Sequence, residues 1–187
     1  MLRETPRDRE HWTAKNIAIL KQGIDALAAM EDHIYTNDRL LPGTDSIGAH
    51  TRHCLEFYQC FLTGLEAGMI DYDQRKRDIR VQQERLFAAE QLKATIEQLA
   101  RLAERDIQKH LLVKTDQRNE SDDDIIWSRS SLQRELQFLL SHTIHHYAII
   151  AMLLRLQGCE PGEEFGVAPS TLDYWHQRNA YAVAVAS

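Results

Sequence analysis

The sequence contains few of the residues that interrupt helices. Its 187 residues include 8 Gly and 4 Pro, where average usage of about 12% for the pair would give roughly 22. Cysteine is scarce as well, because Cys54, Cys60 and Cys159 make an odd number and form no Cys-x-x-Cys pair. This pattern argues against a disulfide scaffold or a zinc finger. We therefore expect a helical protein with reduced thiols, in the cytoplasm.

Runs of basic residues are also missing. The 22 Lys and Arg are outnumbered by 28 Asp and Glu, which gives a formal net charge of -6. We expect neither nucleic acid nor a membrane as a partner, since both normally require a basic surface. The first ten residues are charged throughout and carry no apolar segment, which argues against secretion. With 43% hydrophobic and 27% charged residues, we expect a single domain over residues 1–187.

One apolar run needs a separate interpretation. From Leu136 to Leu154 there is no Lys, Arg, Asp or Glu, and the run is about long enough to span a bilayer. It nevertheless contains several polar and ionisable residues, which are costly in hydrocarbon. We expect a helix that is buried inside a soluble bundle.

Apolar residues at helical spacing predict four long helices, and hence an all-α four-helix bundle with long crossover connections. The helices are expected from about His11 to Tyr35, from a Thr44-Asp45-Ser46 cap until Gly64 and Gly68, from about Gln83 to Lys109, and from about Ser130 to Gln157. Two connections between them are long, at Met69 to Asp78 and at His110 to Arg129. In the latter, Leu111–Thr115 and Ile125–Trp127 flank an acidic turn at Asp122–Asp124 and could form a small β-hairpin.

Histidines are the candidate metal ligands of the sequence. Five of the nine His lie on the second and fourth predicted helices, at positions 50, 53, 142, 145 and 146. His142 and His146 are four residues apart on the apolar side of one helix, so they can chelate a divalent metal, whereas His145 points about 140° away from the centre of that side. A third ligand from the second helix would leave open coordination positions. Helix geometry alone does not choose between His50 and His53.

Three motifs resemble a known family. They are Ser46-Ile-Gly-Ala-His-Thr-Arg-His53, the His142-x-x-x-His146 pair, and Phe165-Gly-Val-Ala-Pro-Ser-Thr171. Together they resemble the DinB/YfiT-like superfamily over nearly the whole chain. The resemblance implies a four-helix bundle that binds a divalent metal, most often zinc or nickel, through His53, His142 and His146. The position of His50 is usually apolar in that family, so His50 is expected to contact the ligands or to replace one. His145 is also additional and is expected at the surface or beside a ligand.

The resemblance implies two activities for a small-molecule substrate. One is transfer or isomerisation that uses a low-molecular-weight thiol, and the other is metal-dependent hydrolysis. A hydrolase needs a proton shuttle, for which the sequence offers His50, Glu56 and His145. A thiol transferase needs groups that hold the carboxylates of the thiol. The candidates for that role are Arg52, Tyr72, Arg75 and Arg77.

A non-catalytic bundle is the alternative. The histidines would then hold a structural metal or none, in an interaction protein that forms a homodimer. A closed site with four ligands would favour it, because such a site has no position for a substrate. Cys54 and Cys60 also lie near the proposed ligands, but we expect them to be buried structural thiols.

Overall fold

The computed structural model describes the backbone of residues 6–40, 43, 45–103, 110–115 and 126–186, and the side chains of 11–40, 43, 45–102, 110–115 and 126–178. Within these ranges there are seven helices and three short strands. In chain order they are α1 (Pro6–Ala29), α2 (Asp32–Thr36), α3 (Ile47–Leu65), β1 (Met69–Asp71), α4 (Ile79–Gln83), α5 (Arg85–Ala103), β2 (Leu111–Lys114), β3 (Ser128–Ser130), α6 (Leu132–Leu156) and α7 (Pro169–Ala186).

Four of the long helices, α1, α3, α5 and α6, form a bundle. Helix α1 packs against α5 and α6, and α3 packs against the same two helices. Helices α1 and α3 are therefore diagonal partners, as are α5 and α6. The connections from α1 to α3 and from α5 to α6 therefore cross an end of the bundle, which accounts for their length. The connection from α3 to α5, which contains Met69 to Asp78, joins neighbouring helices instead. The predicted four-helix bundle with crossover connections is confirmed.

Serine caps fix the starts of α3 and α6. The Ser46 hydroxyl accepts a hydrogen bond from the backbone N–H of Ala49 at 3.1 Å. The Ser131 hydroxyl accepts one from the backbone N–H of Arg134 at 3.2 Å. Each cap pairs a donor that has no partner inside its helix. The predicted starts of these two helices therefore agree closely with the structure.

Two of the predicted helices are each divided in two. The helix expected from His11 to Tyr35 ends at Ala29 and resumes as α2, because Glu31 has an extended backbone with φ -90° and ψ 159°. The helix expected from Gln83 is preceded by the short α4, and Glu84 between them has φ -118° and ψ 95°. Its predicted end at Lys109 lies outside the described residues, as do Leu41, Pro42 and Thr44 in the first connection.

The predicted hairpin is part of a three-stranded sheet. Strand β2 pairs antiparallel with β3, with Leu111 opposite Ser130 and Val113 opposite Ser128. The second strand thus begins after Trp127, whereas it was expected to include Ile126 and Trp127. Its polar Ser-Arg-Ser sequence gave no signal for a strand. Strand β1 lies in the connection expected as a loop and pairs parallel with β2. Residues 116–125, which include the acidic turn, lie outside the described residues.

Helix α7 was not predicted. It begins at Pro169, at the first helical position where the fixed φ of proline is favourable. Tyr174 and Trp175 are 59% and 38% exposed. The described side chains of α7, at residues 169–178, are exposed or half-buried. Such a segment has weak apolar periodicity, which is why the sequence pattern did not indicate it.

A buried polar cluster joins three helices of the bundle. The Tyr58 hydroxyl of α3 donates to Oδ1 of Asn16 in α1 at 2.7 Å, and Nδ2 of Asn16 donates to the Leu136 carbonyl of α6 at 2.9 Å. The Thr143 hydroxyl of α6 lies 3.3 Å from the Tyr58 hydroxyl. Buried groups of this kind are costly to leave unpaired, so the cluster favours one alignment of α3 against α6.

The apolar run from Leu136 to Leu154 lies within α6, and one side of it is buried in the bundle. Across the described ranges, no helix combines the length and the apolar character that a membrane span requires.

Gly48 allows α3 to approach α4 closely. A Cβ atom at this position would lie 2.0 Å from the carbonyl oxygen of Gln82 and 3.0 Å from Cε1 of Tyr35. The first contact is with backbone, so a side chain would force the two helices apart. This close approach is a physical reason for glycine in the Ser46-Ile-Gly motif.

We predict that Gly48→Ala lowers the free energy of unfolding by about 1–3 kcal/mol, as overpacking does. In a helix without this contact, the same substitution would instead raise the free energy of unfolding by about 1 kcal/mol. The sign of the change therefore shows whether the close approach exists. Urea denaturation measures it. Thr63→Ala, at an exposed position of the same helix, is the control and should stay within about 0.5 kcal/mol. A Gly48→Ala protein as stable as the wild type would contradict the close approach.

Candidate metal centre

Helices α3 and α6 bring three histidines together. His53 lies in the first half of α3, and His142 and His146 lie one turn apart near the middle of α6. Nε2 of His142 is 3.2 Å from Nε2 of His53 and 3.2 Å from Nε2 of His146. These three are the group of potential ligands that the described residues form, with ligand atoms within 4.8 Å of one another.

The spacing of the three nitrogens fits a small divalent cation. Zinc binds histidine nitrogen at about 2.0–2.1 Å, so neighbouring ligands of a tetrahedral ion lie about 3.3–3.4 Å apart. A right angle between ligands, as in octahedral coordination, would bring them to about 2.9 Å. The two distances of 3.2 Å fall between these values. The cluster can therefore hold a metal ion without a large rearrangement.

The three imidazoles are neutral at neutral pH. Burial is the main cause that lowers the pKa of His53 to about 4, helped by the neighbouring His142 and by the positive charges of Arg75 and Arg52. Burial likewise lowers the pKa of His142 to about 4 and that of His146 to about 3. A neutral imidazole offers the lone pair that a metal requires.

Aromatic side chains support two of the ligands. The Phe57 ring lies 4.3 Å from the His142 ring and 4.9 Å from the His53 ring, measured between centroids. Phe138 stacks on His142 at 5.6 Å, and Tyr72 stacks on Phe57 at 5.2 Å. These contacts give the cluster an apolar side. Neither Phe57 nor Phe138 was predicted to belong to the site, although each lies four residues from a ligand.

The two additional histidines have different places. Nδ1 of His50 lies 3.0 Å from Nδ1 of His146. His50 therefore contacts His146 at the nitrogen of the His146 ring that is opposite the cluster. His50 is outside the group of three, which agrees with the expectation that it contacts a ligand. His145 is exposed, and its ring lies edge-on to His146 at 5.2 Å.

Glu56 is engaged in an ion pair. Its carboxylate is 4% exposed and accepts a hydrogen bond from Nη1 of Arg52 at 2.6 Å. Nε of Arg52 donates to Oε1 of Gln82 in α4 at 3.1 Å. Arg52 and Glu56 therefore join α3 to the segment that follows β1.

The three candidates in the connection after β1 have different surroundings. The guanidinium of Arg75 lies 4.9 Å from the centre of the Phe57 ring, and its charge lowers the pKa of both His53 and His142. Tyr72 is buried and donates to Oε2 of Glu135 at 2.7 Å. Arg77 is exposed, with a left-handed backbone at φ 50°. Among the candidates in this connection, Arg75 is thus the cation beside the histidines.

Glu135 supports the site from the start of α6, a role that was not predicted from the sequence. It is fully buried and accepts hydrogen bonds from Tyr72, Ser130 and Arg134. It therefore connects the start of α6 to the segment that carries Arg75. The sequence signal that could have identified it is its position immediately before the run without charged residues that begins at Leu136.

The cysteines do not join the cluster. All three are free, and Cys54 is buried. Burial raises the pKa of the Cys54 thiol well above its usual range and that of the Cys60 thiol to about 11. Both thiols are therefore protonated at neutral pH, which is unfavourable for a nucleophile or a ligand.

A separate cavity of about 430 Å³ lies between α1 and the segment after α6. It is bordered by Met30, Leu154 and Phe165 and by acidic residues that include Asp25 and Glu163. The three histidines do not line it. The convergence of ligand atoms, rather than the volume of a cavity, thus identifies the candidate site.

Comparison with known proteins gives one relative and one family. No solved structure matches the chain. FK506-binding protein 5 of Rhizopus delemar is 32% identical over 109 residues, which cover 57% of this chain and 27% of that protein. Because the chain spans so little of this relative, the relative's name assigns no ligand here.

The family match covers far more of the chain. The sequence model of the DinB family matches residues 1–168, a range that contains α1 to α6 and all three histidines of the cluster. The chain belongs to the DinB family.

Proposed function

We propose that this protein is a divalent-metal-dependent enzyme whose open three-His site acts with a low-molecular-weight thiol. The observation that carries the proposal is the convergence of His53, His142 and His146 with no fourth His, Cys, Asp or Glu in the group, among the residues described. Three protein ligands leave a coordination position for a substrate, as in catalytic rather than structural sites.

The three histidines would hold the metal through their Nε2 atoms. Neutral imidazoles suit zinc and nickel alike, and we propose one of these two as the resident ion. When bound, such an ion converts a coordinating thiol to a thiolate, which is the reactive nucleophile.

The candidates for a proton shuttle favour thiol chemistry over hydrolysis. A hydrolase requires a side chain that moves a proton beside the site. Nδ1 of His50 is instead engaged by Nδ1 of His146 at 3.0 Å. Glu56 is paired with Arg52 at 2.6 Å, and His145 is exposed. A thiol needs no such shuttle at a metal, because coordination itself removes its proton.

The surroundings of the site support an anionic substrate. Arg75 places a positive charge close enough to lower the pKa of His53 and His142, and Phe57 and Phe138 form an apolar side. A small thiol that carries a carboxylate matches both features, because guanidinium pairs well with carboxylate. The three free cysteines are compatible with the cytoplasm, where we place the protein.

We predict that His142→Ala and His146→Ala each abolish stoichiometric zinc or nickel binding, because two nitrogens cannot replace three. His145→Ala should retain one metal per chain, since its side chain is exposed and outside the group. Isothermal titration and elemental analysis of the purified variants measure this. If His146→Ala retains a full equivalent of metal, the assignment of the ligands is wrong.

We predict that the metal-loaded protein joins glutathione or cysteine to a chloronitrobenzene electrophile. A sulfur–carbon bond forms, chloride leaves, and the thiol proton passes to solvent. Arg75→Gln should raise KM for the thiol about tenfold or more, because it removes a charge-assisted contact, whereas Lys76→Gln at the exposed neighbouring position should not. The release of chloride or the absorbance of the product measures turnover.

The outcomes of this assay separate the alternatives. Turnover of ester or amide substrates without any thiol would identify a hydrolase instead. Stoichiometric metal without turnover of either class would favour a metal-binding bundle without catalytic activity.

We predict that the metal-free protein loses stability as the pH falls from about 6.5 to about 4. Unfolded histidines take up protons below about 6.5, whereas the folded pKa is about 4 for His53 and His142 and about 3 for His146. The unfolded state thus binds more protons over this window and is favoured as the pH falls. Urea denaturation at several pH values measures the slope. His142→Leu is the control, and an identical slope in that variant would contradict the prediction.

A further inference from the structure

His50 contacts the metal cluster from outside. It precedes His53 by three residues on α3, and its Nδ1 lies 3.0 Å from Nδ1 of His146. The two rings are 5.2 Å apart between centroids and inclined by 40°. His146 therefore has close neighbours at both nitrogens: His142 at Nε2, 3.2 Å away, and His50 at Nδ1.

The protons on the two rings determine which nitrogen donates and which accepts in this contact. A neutral imidazole carries one N–H and one lone pair, so a nitrogen–nitrogen distance of 3.0 Å is a hydrogen bond only when one ring donates and the other accepts. If Nε2 of His146 provides its lone pair to a metal, its proton must be on Nδ1. Among the described residues, the acceptor for that N–H is then the lone pair of His50 Nδ1.

We propose that His50 is a positioning residue of the metal site, whose Nδ1 accepts a hydrogen bond from His146 and holds it in the tautomer that directs a lone pair into the cluster. This inference rests on the proposed function, because it concerns the same three ligands. It assigns one definite role to His50, for which the sequence left open contact with a ligand, replacement of a ligand or transfer of a proton.

The contrast with His142 shows why this contact matters. Nδ1 of His142 is buried and has no hydrogen-bond partner among the described side chains and backbone. The orientation of His142 therefore depends on its aromatic neighbours, Phe57 and Phe138. His146 has a polar partner instead, and partners of this kind fix the ring and the tautomer of a metal ligand.

The same count places the proton of His50 on Nε2. That atom is buried and, within the described part of the chain, has no hydrogen-bond partner. An unpaired buried N–H is unfavourable, so this tautomer of His50 is maintained by the hydrogen bond at its other nitrogen. The neutral imidazole of His50 also adds no negative charge to the site, whereas a carboxylate in the same place would add one.

Nitrogen-15 NMR of the zinc-loaded, full-length wild-type protein tests the direction of the hydrogen bond. Long-range proton–nitrogen spectra distinguish the two tautomers of a histidine. The expected result is a proton on Nδ1 of His146 and on Nε2 of His50. A proton on Nδ1 of His50 in the zinc-loaded protein would overturn the proposal.

Zinc affinity, measured by competition with a chelator, provides the second test. His50→Leu should bind zinc about 10–100-fold more weakly, the usual effect of removing such a partner, and should still bind one ion. His50→Gln retains an acceptor and should recover most of the affinity. His145→Ala is the matched control and should bind as the wild type does. Melting of the metal-free variants checks that each is folded.

The result for each variant is decisive. Wild-type affinity in His50→Leu would overturn the proposal and leave the three-His site intact. Equal weakening in His50→Leu and His50→Gln would also overturn it, because it would indicate a role in packing alone. A wild-type protein that binds no zinc or nickel would overturn the proposed function together with this inference.

Discussion

The alignment of α3 against α6 is the constraint on which the site depends. A shift of one residue along a helix moves a side chain by about 1.5 Å and rotates it by about 100°, which would remove His53 from the 3.2 Å contact with His142. The buried cluster of Asn16, Tyr58 and Thr143 favours one alignment, since another would break the hydrogen bond from Tyr58 to Asn16 or that from Asn16 to the Leu136 carbonyl. Thr143 directly follows His142 in the sequence, so the position of the ligand and the alignment of the helices are determined together.

Much of the fold could be predicted because it depends on periodicity and on caps. The apolar spacing of the four long helices is visible in the sequence, and Ser46 and Ser131 mark two of the starts. The breaks at Glu31 and Glu84 could not be predicted, because each depends on an extended backbone at a residue that is equally acceptable in a helix. Strand β3 was placed too early for a related reason: its pairing with Leu111–Val113 uses backbone groups, which a polar sequence does not reveal.

The candidate site could be predicted only in part. The spacing of His142 and His146 identified a chelating pair, because it depends on one helix alone. The choice between His50 and His53 could not be made in this way, since the two lie about 60° apart on α3 and the docking of α6 decides which one faces the cluster. The structure gives both of them a contact with α6. His53 approaches Nε2 of His142, and His50 approaches the opposite nitrogen of His146.

The cluster also has a cost that a cation would offset. Nε2 of His142 lies 3.2 Å from two other ring nitrogens, but a ring nitrogen has either one proton or one lone pair, so at most one of these contacts can be a full hydrogen bond. Burial adds to this cost, because the partly buried imidazoles have lost much of their hydration. A divalent ion between the three nitrogens would use all three lone pairs at once. Because the unfolded chain does not assemble such a site, the binding energy would stabilise the folded state, and the positions of the three histidines are those expected of a site built to hold an ion.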